Sequence, residues 1–176
     1  MGTRSLTTFI DDHTKEEIVV MYRQYDGYPE GHGRDLANFL NGMTVVNGIP
    51  GGKRISQLAN GVSCLAAQIV SHFKKGVGDF YLHAGNTRDY GEEFVYTIYA
   101  KDNELNIKVE DTYQDEVLFD GNSEEMGSWI DGDSRPEFDV DEALAKSKYN
   151  VKQTEADMTK KLSKSIIRQQ EDGFTD

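Results

Sequence analysis

Two stretches near the start of the chain have the pattern of β-strands: residues 3–10 alternate loosely between apolar and polar residues, and residues 16–23 contain the apolar run Ile-Val-Val-Met-Tyr. Residues 3–10 and 16–23 are rich in β-branched and aromatic residues, and the Asp-Asp-His run at 11–13 supplies turn chemistry between them. We therefore predict two strands joined as a hairpin. Residues 24–33 contain three glycines and one proline, which predicts an irregular loop.

A helical period follows this loop. Residues 34–40 place their apolar side chains on one helical face, and Gly42 ends the pattern. The longest helical pattern covers residues 55–75 and ends in two lysines and a glycine, as the helix dipole favours. The apolar residues of this second pattern lie three or four positions apart: Leu58, Val62, Leu65, Ala66, Ile69, Val70 and Phe73.

Short strand-like runs return after the second helix. They cover residues 80–83, 94–100, 105–109 and 116–119. Asp102-Asn103 predicts a tight hairpin between the middle two runs. A short helix is expected near 123–130 and an extended segment at 136–141. Beyond residue 141 the spacing of the apolar residues predicts one or two helices with a narrow apolar face. These residues are Leu144, Tyr149, Met158, Leu162 and Ile166.

This order of elements predicts an α+β fold. Strands joined as hairpins favour a mostly antiparallel sheet, and the amphipathic helices are expected to pack on one of its faces. We predict a single ligand-binding domain over residues 1–131. Residues 132–176 are predicted to form a polar, acidic, helical tail.

The charge and composition of the chain exclude several classes of binding partner. The 176 residues hold 31 acids and 19 bases, a net charge of −12, and the last 76 residues hold 20 of the acids. Binding to duplex nucleic acid needs a basic footprint, so we expect no such partner. No apolar run approaches the roughly 20 residues that span a bilayer, so no membrane association is expected. A single cysteine, Cys64, indicates a reducing, cytoplasmic compartment.

The most unusual segment is residues 22–34, which contain three Tyr, two Arg, an Asp and a His among three glycines. Tyr rings can stack on nucleobases, and Arg can fork onto a phosphate. A rigid turn that only covers a sheet edge explains the same residues equally well. Residues 85–93 repeat this mixture of Arg, Asp and Tyr beside Gly, and a hairpin loop with a local ion pair is the competing interpretation there.

No established catalytic or metal motif accompanies these loops. The glycine-rich segment 48–56 does not have Walker A spacing, and the four histidines form no metal-ligand pair. Cys64 lies on an apolar helical face, which is typical of a buried, inert thiol. We therefore predict no catalytic residue, no metal and no cofactor.

Several motifs resemble a family of small proteins common in phages, with relatives in bacteria and fungi. They are Met-Gly-Thr-Arg-Ser at 1–5, Tyr-Arg-Gln-Tyr-Asp-Gly-Tyr-Pro at 22–29, Gly-His-Gly at 31–33, Arg-Asp at 88–89 and Glu-Phe-Val-Tyr at 93–96. The resemblance covers about residues 1–121. It implies a protein similar to phage immune-evasion sponges, which sequester the cyclic dinucleotide signals of CBASS antiviral defence in the infected cell without cleaving them.

This hypothesis assigns roles to nine residues for a ligand such as cyclic GMP–AMP. Its two phosphates need cations, and its two bases need flat faces and hydrogen-bond acceptors. A homo-oligomer is expected, with a second protomer closing over the ligand. The candidates are Arg4, Arg23 and Arg88 for the phosphates, Tyr25, Tyr28 and Tyr90 for the bases, Asp26 and Glu93 for a guanine edge, and His32 for either component.

Two other functions stay open at this level. One is an enzyme that processes a nucleotide or another metabolite, with Asp26 and His32 as an acid–base pair. The other is an antidefence factor that binds a protein through the acidic C-terminal half of the chain.

Overall fold

Eight strands, three α-helices and one π-helical turn make up the part of the chain described by the computed structural model, residues 2–48, 57–101 and 104–132. The strands are β1 (Ser5–Ile10), β2 (Glu17–Arg23), β3 (Thr44–Val46), β4 (Leu58–Asn60), β5 (Phe80–Ala84), β6 (Phe94–Lys101), β7 (Glu104–Asp111) and β8 (Glu116–Gly121). The helices are α1 (Arg34–Leu40), α2 (Gly61–Phe73) and α3 (Ser123–Asp131), and the π-helical turn is Pro29–Gly33.

Six strands form one sheet in the order β5-β2-β1-β6-β7-β8. Every neighbouring pair is antiparallel except β1 and β6, which run parallel with Ser5 opposite Phe94. The predicted α+β class, with a mostly antiparallel sheet, is therefore confirmed. The predicted hairpin of the first two strands is also confirmed, since β1 and β2 pair antiparallel.

The connection from β5 to β6 must cross the sheet. The two strands run in the same direction with β2 and β1 between them, and β5 ends opposite Val19, at the far end from Phe94. Residues 85–93, the crossover segment, therefore return along the sheet over β2 and β1. Tyr90 of this segment contacts Tyr22, so the segment lies on the face that carries Leu6, Val20 and Val95, which are all buried.

The helices cover the opposite face. Phe9, Met21, Tyr96, Ile107 and Val109 of the sheet share one buried cluster with apolar residues of all three helices: Leu36, Ala37, Leu40, Val62, Leu65, Ala66, Ile69, Met126 and Ile130. Apolar burial of this kind is the main favourable term in folding. The prediction of helices on one face of the sheet is confirmed.

The second predicted helix is shorter than expected. Helix α2 begins at Gly61 rather than near residue 55, and Leu58–Asn60 instead pairs in parallel with Thr44–Val46. Gly61 has a φ of +77°, a left-handed conformation that breaks a helix and that glycine adopts without strain. Leu58 lies four positions before Val62, so its spacing looked helical although it belongs to a strand.

The remaining elements follow the sequence closely. Helix α1 has the predicted bounds, and α3 begins with a capping box in which the Asn122 side chain accepts hydrogen bonds from the Glu124 and Glu125 amides. Apart from Gly132, the predicted tail at 132–176 lies outside the described residues, as does the segment at 136–141. No helix among the described residues is long and apolar enough to cross a bilayer.

Replacing Tyr96 with Phe should destabilise the fold by about 1–2 kcal/mol. The buried Tyr96 hydroxyl donates to the Gly27 carbonyl at 2.8 Å, and its removal leaves that buried acceptor without a partner. Urea unfolding measures the change. Tyr113→Phe is the control, because Tyr113 is 76% exposed, and an equal effect of the two substitutions would contradict the assigned role.

Candidate functional site

The loop at residues 24–33 is fixed to the start of β1 by its backbone. The Gly27 amide donates to the Thr3 carbonyl at 2.9 Å, and the His32 amide donates to the Asp26 carbonyl at 2.9 Å. A Cβ added at Gly27 would lie 2.7 Å from the carbonyl carbon of Arg4, so only glycine fits this approach. The loop is therefore held closely against residues 3–5.

Beneath this loop, His32 joins a buried chain of polar side chains. Its Nε2 lies 2.7 Å from Thr7 Oγ1, and its Nδ1 lies 2.9 Å from Nη1 of Arg23, which also donates to Asp35 at 2.7 Å. A guanidinium can only donate, so Nδ1 accepts and Nε2 carries the proton. Burial, and secondarily the charge of Arg23, lower the pKa of His32 well below its ordinary value, so the ring is neutral.

This position changes the roles expected for His32 and Arg23. His32 is fully buried, so it presents no surface to a ligand in this structure. The described contact between His32 and Asp26 runs through their backbones, and Asp26 itself is exposed. Arg23 donates from Nε to the Tyr25 carbonyl and lies over the Phe80 ring, so its guanidinium is occupied inside the fold. Both residues hold the loop in place.

Arg88 is also paired. Its guanidinium donates two hydrogen bonds, of 3.0 and 2.8 Å, to the Glu17 carboxylate. Hydrogen bonding to Glu17 is the main reason that the pKa of Arg88 is raised. Arg88 lines a cleft of about 430 Å³ together with five carboxylates: Glu92, Glu110, Asp111, Asp115 and Glu116. The negative charge around Arg88 opposes the binding of a phosphate there.

Arg4 lies between the two candidate loops. Its carbonyl accepts a hydrogen bond from the Glu93 amide at 2.9 Å, and its Nη1 lies 2.9 Å from the position that a Cβ at Gly91 would take. Within residues 2–48, 57–101 and 104–132, the guanidinium of Arg4 makes no ion pair, whereas Arg23, Arg34 and Arg88 each face a carboxylate. Of these four arginines, Arg4 is therefore the one best placed to receive an external anion.

The three predicted stacking tyrosines are all partly exposed. Tyr25 lies against Gly2, Tyr28 lies against Gly31, and Tyr90 belongs to the crossover segment. Their exposed fractions are 50%, 39% and 41%. The backbone of the loop that carries Tyr25 and Tyr28 contacts residues 3 and 4, whereas the Arg4 guanidinium lies beside Gly91 of the crossover segment.

Sequence reasoning missed an aromatic cluster on the crossover face. Tyr90 contacts Tyr22 at 5.6 Å and His83 at 4.2 Å between ring centres, and its hydroxyl lies 3.0 Å from His83 Nδ1. The ring centre of Tyr81 lies 6.0 Å from that of Tyr22. The alternation of β5 could have placed Tyr81 and His83 on one face. The pairing of Tyr81 with Tyr22 depends on a register that the sequence does not reveal.

Comparison with protein-family models, curated proteins and solved structures found no match to this chain. Among the described residues, no group of three or more His, Cys, Asp or Glu side chains is arranged to hold a metal ion.

The burial of neutral His32 should make the fold sensitive to mild acid. In the unfolded chain His32 takes up a proton near pH 6.5, whereas in the folded chain it stays neutral. His32 therefore leaves the free energy of unfolding unchanged well above pH 6.5 and lowers it below that pH. We expect the free energy of unfolding to fall by up to about 1.4 kcal/mol at pH 5.5 through this residue. Urea titrations between pH 7.5 and 5.5 measure the decline.

The control is His32→Gln, whose side chain does not titrate. This variant is less stable at every pH but should lose less stability than the wild type between pH 7.5 and 5.5. Parallel pH profiles for the two proteins would show that His32 is not held neutral in the fold.

Proposed function

We propose that this protein binds a cyclic dinucleotide and sequesters it without cleaving it. The observation that carries the proposal is the guanidinium of Arg4, which forms no ion pair with any described residue. The loop at 24–33 contacts the backbone of residues 3 and 4, and the crossover segment contacts Arg4. The resemblance to phage immune-evasion sponges supports the same ligand class, and with it action in the cytoplasm of an infected cell.

The chemistry of the ligand matches the cation of Arg4 and the side chains of the loop at 24–33. A guanidinium binds a phosphate through two parallel hydrogen bonds, and the rings of Tyr25 and Tyr28 can each stack on a base. Stacking of this kind is worth about 1–3 kcal/mol per base. The exposed carboxylate of Asp26 can accept from a guanine edge. In this arrangement one phosphate of the ligand binds the Arg4 guanidinium, and the other phosphate is exposed to solvent.

The rigidity of the loop also favours binding. Two backbone hydrogen bonds, the Tyr96 hydroxyl and the buried His32 hold the loop before any ligand arrives. A preorganised site loses less conformational entropy on binding. Arg23 and His32 therefore contribute to the proposed site by supporting the loop rather than by touching the ligand.

The enzymatic alternative receives no support from the geometry around His32. A general acid or base must come within hydrogen-bond reach of its substrate, and His32 is buried and neutral. The protein-binding alternative depends on the acidic C-terminal half, most of whose acids lie outside the described residues, and it stays a prediction.

Calorimetry and thermal unfolding with a panel of cyclic and linear dinucleotides test the proposal. A cyclic dinucleotide should raise the melting temperature, because a ligand that binds only the folded state stabilises it. After heat denaturation, chromatography should recover the ligand unchanged. Recovery of a linear product, or no shift with any member of the panel, would contradict the proposal.

Substitution of Arg4 by Gln should weaken binding at least about tenfold, since hydrogen bonds to charged groups are worth about 1.5–3 kcal/mol. Arg34→Gln is the matched control, because it makes the same charge change at an arginine already paired with Asp131. Equal losses of affinity in both variants would indicate a general charge effect and would remove Arg4 from the site.

A further inference from the structure

Strand β5 forms one edge of the six-stranded sheet, and its outward-facing backbone can be identified. The Gln24 amide donates to the Asp79 carbonyl at 2.8 Å, which extends the β2–β5 ladder by one pair. Backbone groups alternate in direction along an antiparallel strand. Tyr81 and His83 therefore bond to β2, and the amides and carbonyls of Phe80, Leu82 and Ala84 point away from the sheet.

Part of this edge is already satisfied within the chain. The Phe80 amide donates to Gly78, and its carbonyl accepts from Lys74 Nζ at 2.8 Å. The Ala84 carbonyl accepts from Thr87. No described residue pairs with the amide or carbonyl of Leu82 or with the amide of Ala84. An oxygen has two lone pairs, so the Phe80 carbonyl can accept a second hydrogen bond.

The five residues of β5 carry none of the usual protection, and the charge at this edge is the Lys74 ammonium bonded to the Phe80 carbonyl. Exposed edge strands generally carry charges, prolines or bulges that prevent pairing with another chain. Strand β5 reads Phe-Tyr-Leu-His-Ala, without a Lys, Arg, Asp or Glu, and its Tyr81 and Leu82 are exposed. The opposite edge, β8, carries Glu116 and Asp120 and has a register shift against β7.

We propose that β5 pairs antiparallel with β5 of a second copy of this chain, with the two-fold axis at Leu82. In this register Leu82 lies opposite Leu82 of the second copy, and Phe80 lies opposite Ala84. The two Leu82 residues exchange two hydrogen bonds, and each Ala84 amide donates to the Phe80 carbonyl of the other copy. These four bonds satisfy every free backbone group of the edge and join two sheets into one of twelve strands.

Side chains fit the same register. Leu82 borders an apolar groove of about 400 Å³ beside α2, with Val19, Ala66 and Val70 in its wall, and Leu82 of the second copy would cover the outer end of that groove. On the other face Tyr81 lies opposite His83 of the second copy. The two aromatic clusters thus become neighbours across the axis.

The distribution of negative charge favours the β5 edge over the β8 edge for contact between two copies of the chain. Each chain has a net charge of −12, so two copies repel except where their surfaces lack acids. Pairing through β8 would bring Glu116 and Asp120 of both copies together, whereas β5 contains no acid and the charge bonded to its backbone is the Lys74 ammonium. The interface does not depend on a nucleotide. A failure of this proposal would therefore leave the proposed function unaffected, and the reverse also holds.

Analytical ultracentrifugation of the full chain without nucleotide tests the proposal. The wild type should sediment with twice the 19.8 kDa mass of one chain. Leu82→Lys should shift the mass to that of one chain, because it places two ammonium groups against each other at the axis. Val117→Lys is the matched control, because Val117 on β8 is 53% exposed, as is Leu82, and it should leave the mass unchanged.

A second variant keeps the test decisive if Leu82→Lys fails to fold. In a Cys64→Ser background, Leu82→Cys should form a covalent dimer on oxidation, because opposed residues of a bonded antiparallel pair lie about 5.5 Å apart between their Cα atoms. Val117→Cys should not. A wild type that has the mass of one chain at tens of micromolar, equal effects of the two Lys variants, or equal cross-linking of the two Cys variants would each overturn the proposal.

Discussion

The parallel pairing of β1 with β6 is the constraint from which the rest of the structure follows. It places the start of β6 beside the start of β1 and leaves β5 two strands away, so the nine residues between β5 and β6 must recross the sheet. That crossing buries Leu6, Val20 and Val95 and brings Glu93 to the backbone of Arg4. Without this pairing the two unusual loops would have no common neighbour.

The loop at 24–33 shows how buried polar groups can specify a surface. An unpaired polar side chain in the core costs folding free energy, whereas one with all its partners is tolerated. Thr7, His32, Arg23 and Asp35 form such a satisfied chain beneath the exposed Tyr25 and Tyr28. The hydrogen bonds of the interior thus determine the conformation of a loop whose side chains face solvent.

Local pattern was sufficient to predict most elements of this fold, but not the partners of each side chain. Short runs of strand-forming residues predict β6 and β7, and helical spacing predicts α1. The spacing of Leu58 predicts a helix, and only its pairing with Thr44 distinguishes it from a helical residue. Arg4, Arg23 and Arg88 are equivalent in the sequence, and carboxylates elsewhere in the chain decide which of them form ion pairs within the described structure. For Arg88 that carboxylate is Glu17, 71 positions away.

The order of the strands has a consequence for how the chain folds. The β1–β2 hairpin and the β6–β7–β8 meander each join neighbours in sequence, so both can form early from local contacts. The two halves are joined through the β1–β6 seam, where Thr8 donates a hydrogen bond to Thr97, 89 positions later in the chain. Closing so long a loop costs considerable entropy. We therefore expect formation of this seam to be the slow step of folding, and until it forms both halves expose sheet edges that can aggregate.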